Sequence, residues 1–154
     1  MLYSKIDLLN AKINVLTLSL NIILYDNKVE NLQKLGEILC EQTLHQLEEG
    51  GIWLWNYQTN EVYYSNNFCK TLGYNYGELG TGFDGFNLGD EEHMSIGMKM
   101  INDLIANHSI EPFINDITYK TKSNGYVNIQ YIGSVFYKNN LPYIILGTHK
   151  VKQK

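Results

Sequence analysis

The sequence predicts an α+β fold: a five-stranded antiparallel sheet with helices on one face, preceded by an N-terminal helical segment. Three observations support this prediction. After residue 50 the chain reads as β-β-α-loop-α-β-β-β. Ser123-Asn124-Gly125 separates two strand-like runs, which is a strong signal for a hairpin and hence for antiparallel neighbours. Apolar residues make up 44% of the 154 residues, enough for a folded core.

The N-terminal segment, residues 1–49, is predicted to be helical, and residues 50–154 to form the domain. Apolar residues recur three and four apart at Ile6, Leu9, Ile13, Leu16, Leu20 and Ile23. The stripe spans about two and a half heptads, short of an established coiled coil. A period-two alternation also runs through Leu16, Leu18, Leu20, Ile22 and Leu24, so a strand remains open over residues 13–25. A second stripe starts at Leu32.

The apolar stripe has two possible uses. The helix could pack against its own domain, or it could join two copies of the chain. So much apolar surface is seldom left exposed on a monomer. We therefore expect a homodimer formed through the six residues of the first stripe.

Local signals place the elements of the domain. "IWLWNY" and "EVYYS" are strands joined by "QTN", and Asn66 is predicted to cap a short helix that ends at Gly73. Residues 75–89 contain five glycines and form a loop. Asp90 is the predicted N-cap of a long helix reaching about Asn107. Three strands follow, "PFINDITYKTK", "YVNIQYIGSVFY" and "YIILGTHKVK".

The first strand is apolar on both faces. Trp53 and Trp55 are two residues apart and share one face, with Ile52 and Leu54 on the other. Both faces must therefore be covered. The alternation does not say which face the tryptophans take.

The domain resembles the PAS family, over about residues 50–150. "GIWLWNYQTNEVYYS" resembles the family's first two strands, "NNFCKTLGY" its first helix, and "LGDEEH" the start of its long helix. "TKSNGYVNIQYIG" and "NNLPYIILGT" resemble its last hairpins. The chain departs from the family in lacking the proline of the His-Pro-Asp-Asp motif and in ending "HKVKQK" in place of Asp-Ile-Thr.

The resemblance implies a sensory or signalling module, not an enzyme. No output domain is expected after Lys150, so the module would act through a ligand, through self-association or through a partner protein that supplies the output. The alternative is a ligand-free interaction adaptor, and a second alternative is a haem-dependent gas or redox sensor.

The resemblance also implies a pocket between the sheet and the long helix. We expect its walls to include Met94, Met98, Ile101, Ile105, Ile117, Tyr119, Ile129, Tyr131 and Leu146, although these residues could simply fill the core. A one-residue slip would exchange the faces of the strand residues. His108 continues the helix stripe and is the weak candidate for a haem ligand, whereas His93 lies one position off.

Other cofactors and partner classes are not expected. Cys69 does not lie in a flavin-photoreceptor motif, and Cys40 with His45 is too few ligands for a metal. A net charge of -4 with no arginine argues against nucleic acid. Residues 13–25 are too short and too polar to span a membrane, and no signal peptide is evident. We expect a cytoplasmic protein.

Overall fold

The computed structural model describes residues 13–20, 31–43 and 51–152. Helix α1 covers residues 13–20. The following elements are α2 Leu32–Thr43, β1 Ile52–Asn56, β2 Val62–Tyr64, α3 Asn66–Thr71, a 3₁₀ turn Phe86–Leu88, α4 Glu91–Ala106, β3 Phe113–Lys120, β4 Tyr126–Lys138 and β5 Leu141–Val151. The predicted α+β order of the domain is confirmed. The boundary predicted at residues 49–50 lies outside the described residues.

The five strands form one antiparallel sheet in the order β2-β1-β5-β4-β3. The first and last strands of the domain therefore lie side by side at its centre. Trp53 is the registered partner of Gly147, Leu54 of Leu146 and Trp55 of Ile145. This register decides which side chains share a face, because side chains alternate along each strand.

Asparagine residues form the tight turns between the last strands. Asn124 between β3 and β4 has a φ of 66°. Asn139 and Asn140, between β4 and β5, have φ values of 53° and 63°. Positive φ at both central residues is the mark of a two-residue type I′ hairpin, and asparagine tolerates it better than most residues. The predicted turn "KNNLP" is therefore shorter, and β5 already begins at Leu141.

Caps begin both helices of the domain. Asp90 caps α4 as predicted, with its carboxylate accepting from the backbone N–H of His93. The prediction for α3 is wrong by one residue, because Ser65 and not Asn66 is the N-cap. Ser65 leaves β2 with extended backbone, and its Oγ accepts from the N–H of Phe68 at 3.3 Å and of Ile52 at 2.9 Å.

Each face of the sheet has its own hydrophobic core. Helices α3 and α4 pack on one face, with Trp53, Trp55 and the inward residues of β3 and β4. Helices α1 and α2 cover the opposite face, where they meet Ile52 and Leu54. The tryptophans therefore face α4, and the question left open by their alternation is resolved.

Helix α1 packs on the sheet of its own chain. Ile13, Leu16 and Leu20 are at most 1% exposed and belong to the same core as Leu54. The strand alternative is wrong for residues 13–20, since these residues are helical. Ile6, Leu9 and Ile23 of the predicted dimer stripe lie outside the described residues. Dimerisation remains a prediction, but the three described residues of the stripe are already buried within one chain.

Within the described part of the chain, no helix has the length and apolar character that a membrane span requires.

Candidate ligand cavity

A cavity of about 810 Å³ lies between the sheet and α4. Its volume is within the usual range for small-molecule sites, about 300–1,000 Å³. Six of the residues predicted from the sequence line it: Met94, Met98, Ile101, Ile117, Tyr119 and Tyr131. The structure thus brings the helix stripe and the inward residues of β3 and β4 together around one space.

Three predicted residues do not line the cavity. Ile105 and Ile129 belong to the surrounding core. The prediction for Leu146 is wrong, because this residue lies on the opposite face, in the core beneath α1 and α2. Its neighbour Ile145 pairs with Trp55 and takes the face toward the cavity. Neighbouring residues of a strand point to opposite faces, so an assignment that is off by one residue along β5 exchanges the faces. The alternation of the sequence alone does not reveal such an error.

Aromatic side chains build the wall that the sequence did not predict. Trp53 meets Phe86 edge-on, with ring centroids 5.0 Å apart and planes at 84°. Trp55 meets Phe83 in the same way, at 5.5 Å and 88°. Both phenylalanines come from the glycine-rich loop, which shows no periodicity that would assign a direction to their side chains. Their aromatic character among glycines was the only available signal.

A glycine on β5 makes room for the Trp53 ring. The indole occupies the space above Gly147, such that a Cβ at this position would lie 2.6 Å from Nε1 and closer still to two ring carbons. Trp53 also contacts the ring of Tyr131, with centroids 5.8 Å apart. The ring is therefore held between β5 and the cavity.

The floor of the cavity, formed by the side chains of Tyr119 and Tyr131 with Asn115 behind them, is polar and is hydrogen-bonded to α4. Nδ2 of Asn115 on β3 donates to the Tyr131 hydroxyl at 3.4 Å and to the backbone carbonyl of His93 at 3.0 Å. Helix α4 approaches most closely at Gly97, where a Cβ would lie 2.6 Å from Tyr131 Oη and 2.8 Å from Asn115 Nδ2. A tyrosine of the cavity is thus linked by hydrogen bonds to the first turn of α4.

The two tyrosines of the floor are buried and neutral. Burial raises the pKa of Tyr131 to about 12, although the hydrogen bond from Asn115 opposes the shift. Burial also raises the pKa of Tyr119, and the neighbouring hydroxyls of Tyr131 and Tyr64 add to that shift. Tyr119 is 2% exposed, and its hydroxyl has no hydrogen bond to another described residue. Both hydroxyls are therefore protonated at neutral pH and can act as hydrogen-bond donors.

The rim carries the charged residues of the cavity. Among the described residues that line it, only Glu91 and Lys99 are charged, and both are exposed positions of α4. Asn60 closes another part of the rim by accepting from Trp55 Nε1 at 3.2 Å. The other polar residues that line the cavity, Asn87, Ser95 and Asn102, are also exposed, so its buried lining is uncharged and mostly apolar.

The haem candidate His108 lies away from the cavity. Helix α4 ends at Ala106, and Asn107 is its C-cap, so the stripe does not continue to residue 108. His108 has a φ of 49° and is exposed, with its ring 5.7 Å from that of Tyr137. His93 Nδ1 lies 2.6 Å from Asp90 Oδ1, at the start of the helix. No histidine in the described ranges lines the cavity.

Both cysteine thiols lie in surroundings that raise their pKa. Cys69 is 1% exposed inside the core, and burial raises the pKa of its thiol. Burial likewise raises the pKa of Cys40 to about 11, with Glu37 adding and the Tyr63 hydroxyl opposing. Over residues 13–20, 31–43 and 51–152, no group of three or more histidine, cysteine or carboxylate side chains is placed to hold a metal. His45 lies outside these ranges.

Known protein structures share this fold. A sensory box histidine kinase/response regulator from Burkholderia thailandensis is 19% identical, with a TM-score of 0.59 over 73% of this chain and 83% of that one. The N-terminal domain of a diguanylate cyclase with PAS/PAC sensor from Marinobacter aquaeolei is 15% identical, with a TM-score of 0.56 over 67% and 94%. The PAS-B domain of Drosophila melanogaster Cycle, with bound ethylene glycol, is 15% identical, with a TM-score of 0.54 over 66% and 99%.

These similarities show that the chain contains a PAS-like fold, as the sequence predicted. No protein-family model matches the sequence, and the search of curated proteins found no significant match. The likeness is therefore one of structure, at identities of 19% and below.

Proposed function

We propose that this chain is a sensory or signalling module that binds a small molecule in the cavity between the sheet and α4. It would act by associating with itself or with a partner protein that supplies the output. We expect no catalytic activity of its own. The structural neighbours that belong to a histidine kinase/response regulator and a diguanylate cyclase support this class of function by analogy of fold.

The observation that carries the proposal is the contact between the cavity floor and α4. Tyr131 lines the cavity, and Asn115 joins its hydroxyl to the His93 carbonyl in the first turn of α4. A ligand that contacts Tyr131 therefore acts on a residue hydrogen-bonded to the helix that forms the opposite wall. A ligand can shift a conformational equilibrium only through such differential contacts.

The two tryptophans provide a direct test, because the chain has only two and both line the cavity. We expect ligand binding to change the intrinsic fluorescence and to raise the unfolding temperature. Native mass spectrometry of the purified protein would show a bound molecule as added mass. Trp53→Phe keeps an aromatic ring in the wall and should reduce the fluorescence change without abolishing the thermal shift.

A negative result would favour a different function. If the protein carries only its own mass and a metabolite panel produces no thermal shift, the small-molecule proposal fails. The remaining candidate is then a ligand-free interaction adaptor. One observation supports association: Leu18 and Val15 of α1 are 65% and 38% exposed, on the side away from the buried residues Leu16 and Leu20.

A further inference from the structure

The hydrogen-bond direction at Tyr131 restricts what it can offer a ligand. Its oxygen already accepts from Asn115 Nδ2 at 3.4 Å. The amide nitrogen can only donate, so the tyrosine O–H is left to donate elsewhere. Within the described residues no acceptor for that proton is present, whereas the side chain lines the cavity. A bound molecule would complete this bond by supplying an acceptor.

Tyr119 points to the same requirement. It is 2% exposed, lines the cavity, and has no hydrogen-bond partner for its hydroxyl among the described residues. Its oxygen is not sealed in the core without a partner, so it reaches the space of the cavity. The cavity is the open space that this side chain meets. Two hydroxyls thus face the open space of the cavity, where an acceptor on a bound molecule can take the place of water.

The interior also selects against charge. The charged residues that line the cavity, Glu91 and Lys99, are both at exposed positions. An ionised group placed against the floor would lose its hydration without gaining a counter-ion. The environment that raises the pKa of both tyrosines would disfavour a ligand anion for the same reason.

The walls favour an aromatic body. Trp53 with Phe86 and Trp55 with Phe83 present rings in edge-to-face pairs, an arrangement that another ring can extend. The volume of about 810 Å³ leaves room for a fused two-ring compound with a substituent.

We propose that the cavity binds a neutral aromatic compound carrying a hydrogen-bond acceptor, such as a ketone or amide carbonyl, to which Tyr131 and Tyr119 donate. This inference rests on the proposed function, since it names the ligand class of the same cavity. Tyr131 and Tyr119 are the recognition donors, and the aromatic wall supplies the apolar contact.

Three probes of one ring system test the inference. The probes are 2-acetylnaphthalene, which is neutral with an acceptor, 2-isopropylnaphthalene, which has the same shape and no acceptor, and 2-naphthoate, which is anionic. Affinities would be measured by calorimetry on the full chain, Tyr131→Phe, Tyr119→Phe and the double variant. Tyr126→Phe is the matched control, because Tyr126 is 73% exposed and does not line the cavity.

We expect the full chain to bind the ketone more tightly than the isopropyl compound, by about 2- to 10-fold for each neutral hydrogen bond that forms. The ratio should approach one in the double variant and stay unchanged in Tyr126→Phe. Using a ratio removes any general loss of stability in a variant, because both probes experience it equally. The anion should bind more weakly than the ketone.

The possible results distinguish an incorrect ligand class from an incorrect proposed function. Equal binding of ketone and isopropyl compound, a ratio unaffected by the double variant, or tightest binding of the anion would overturn the ligand class while leaving a small-molecule cavity. Failure of all three probes to bind at millimolar concentration would overturn the ligand class and count against the proposed function as well.

Discussion

The indole of Trp53 occupies the space above Gly147, its registered partner on the neighbouring strand. The two residues are 94 positions apart in the chain. Their contact joins the first strand of the domain to the last and sets one wall of the cavity. A side chain at residue 147 and an indole at residue 53 cannot both occupy this site.

Gly147→Ala should therefore destabilise the protein and disturb the cavity. The added Cβ would fall 2.6 Å from Trp53 Nε1, so the indole must move. Overpacking of this kind typically lowers the free energy of unfolding by about 1–3 kcal/mol. Denaturant unfolding and the tryptophan emission maximum would report both effects. Gly82→Ala is the control, because a Cβ there meets nothing within 4 Å. Equal stability of the two variants would contradict the steric argument.

Asn115→Leu should loosen the contact between α4 and the sheet. The change removes both donations, to Tyr131 Oη and to the His93 carbonyl, at a position that is 7% exposed. Leaving a buried partner unsatisfied costs about 1–3 kcal/mol. We expect faster amide hydrogen exchange in the first turns of α4. Asn128→Ala is the control, because it removes a hydrogen bond from Thr118 Oγ1 at an exposed position of the same sheet, where water can replace the lost partner, and it should cost less stability. Unchanged amide hydrogen exchange of α4 in Asn115→Leu would show that the hydrogen bonds of Asn115 do not hold this helix on the sheet.

Asp90 should make stability depend on acidic pH. Partial burial alone would raise the pKa of Asp90, but hydrogen bonds from His93 and Thr118 outweigh it and lower the pKa. A carboxyl with a lowered pKa in the folded state stabilises it above its ordinary pKa of about 3.9. This contribution is lost as the pH falls through the folded-state value.

Asp90→Asn provides the matching variant. Asparagine also caps helices but does not titrate, so the variant should lose less stability than the parent between about pH 5 and pH 2. Thermal unfolding at each pH would measure the difference, with pH 7 as the reference condition. Parallel curves for the two proteins would assign the acid sensitivity to other groups.

Leu16→Ala should strongly destabilise the chain. Leu16 has 0% exposure in the core formed by α1, α2 and the outer face of the sheet. Truncating a buried leucine to alanine lowers the free energy of unfolding by about 2–5 kcal/mol. Val15→Ala on the same helix is the control, because Val15 is 38% exposed. Similar losses for both variants, measured by denaturant unfolding, would contradict the packing of α1 on the sheet.

Leu18→Lys tests association without disturbing this core. Leu18 is 65% exposed, so a lysine there should leave the fold intact. If α1 joins two copies through its outer side, the variant should shift toward the monomer mass of 17.8 kDa. Light scattering after gel filtration would measure both proteins over a range of concentrations. A parent dimer that persists in Leu18→Lys would exclude this surface as its interface.

The cavity shows which residues could be predicted from the sequence. Met94, Met98 and Ile101 follow a helical stripe and line the cavity, with Ile101 buried and Met98 37% exposed. Phe83 and Phe86 could not be predicted, because their loop has no period from which a side-chain direction follows. The face of Leu146 could not be predicted either, since the alternation of β5 fits either register equally well.

The sequence by itself determined the succession of strands and helices along the chain, the hairpin turns at Asn124 and Asn139-Asn140, and the cap at Asp90. These features depend on residues within a few positions of one another, where backbone sterics and local hydrogen bonds decide. The tertiary structure alone decided that Trp53 and Trp55 face α4 and that Leu16 and Leu20 pack on their own sheet. It also decided that Asn115 joins the cavity floor to the helix. Those outcomes depend on registers and contacts between distant segments, and local patterns do not encode which of two faces a neighbouring element will cover.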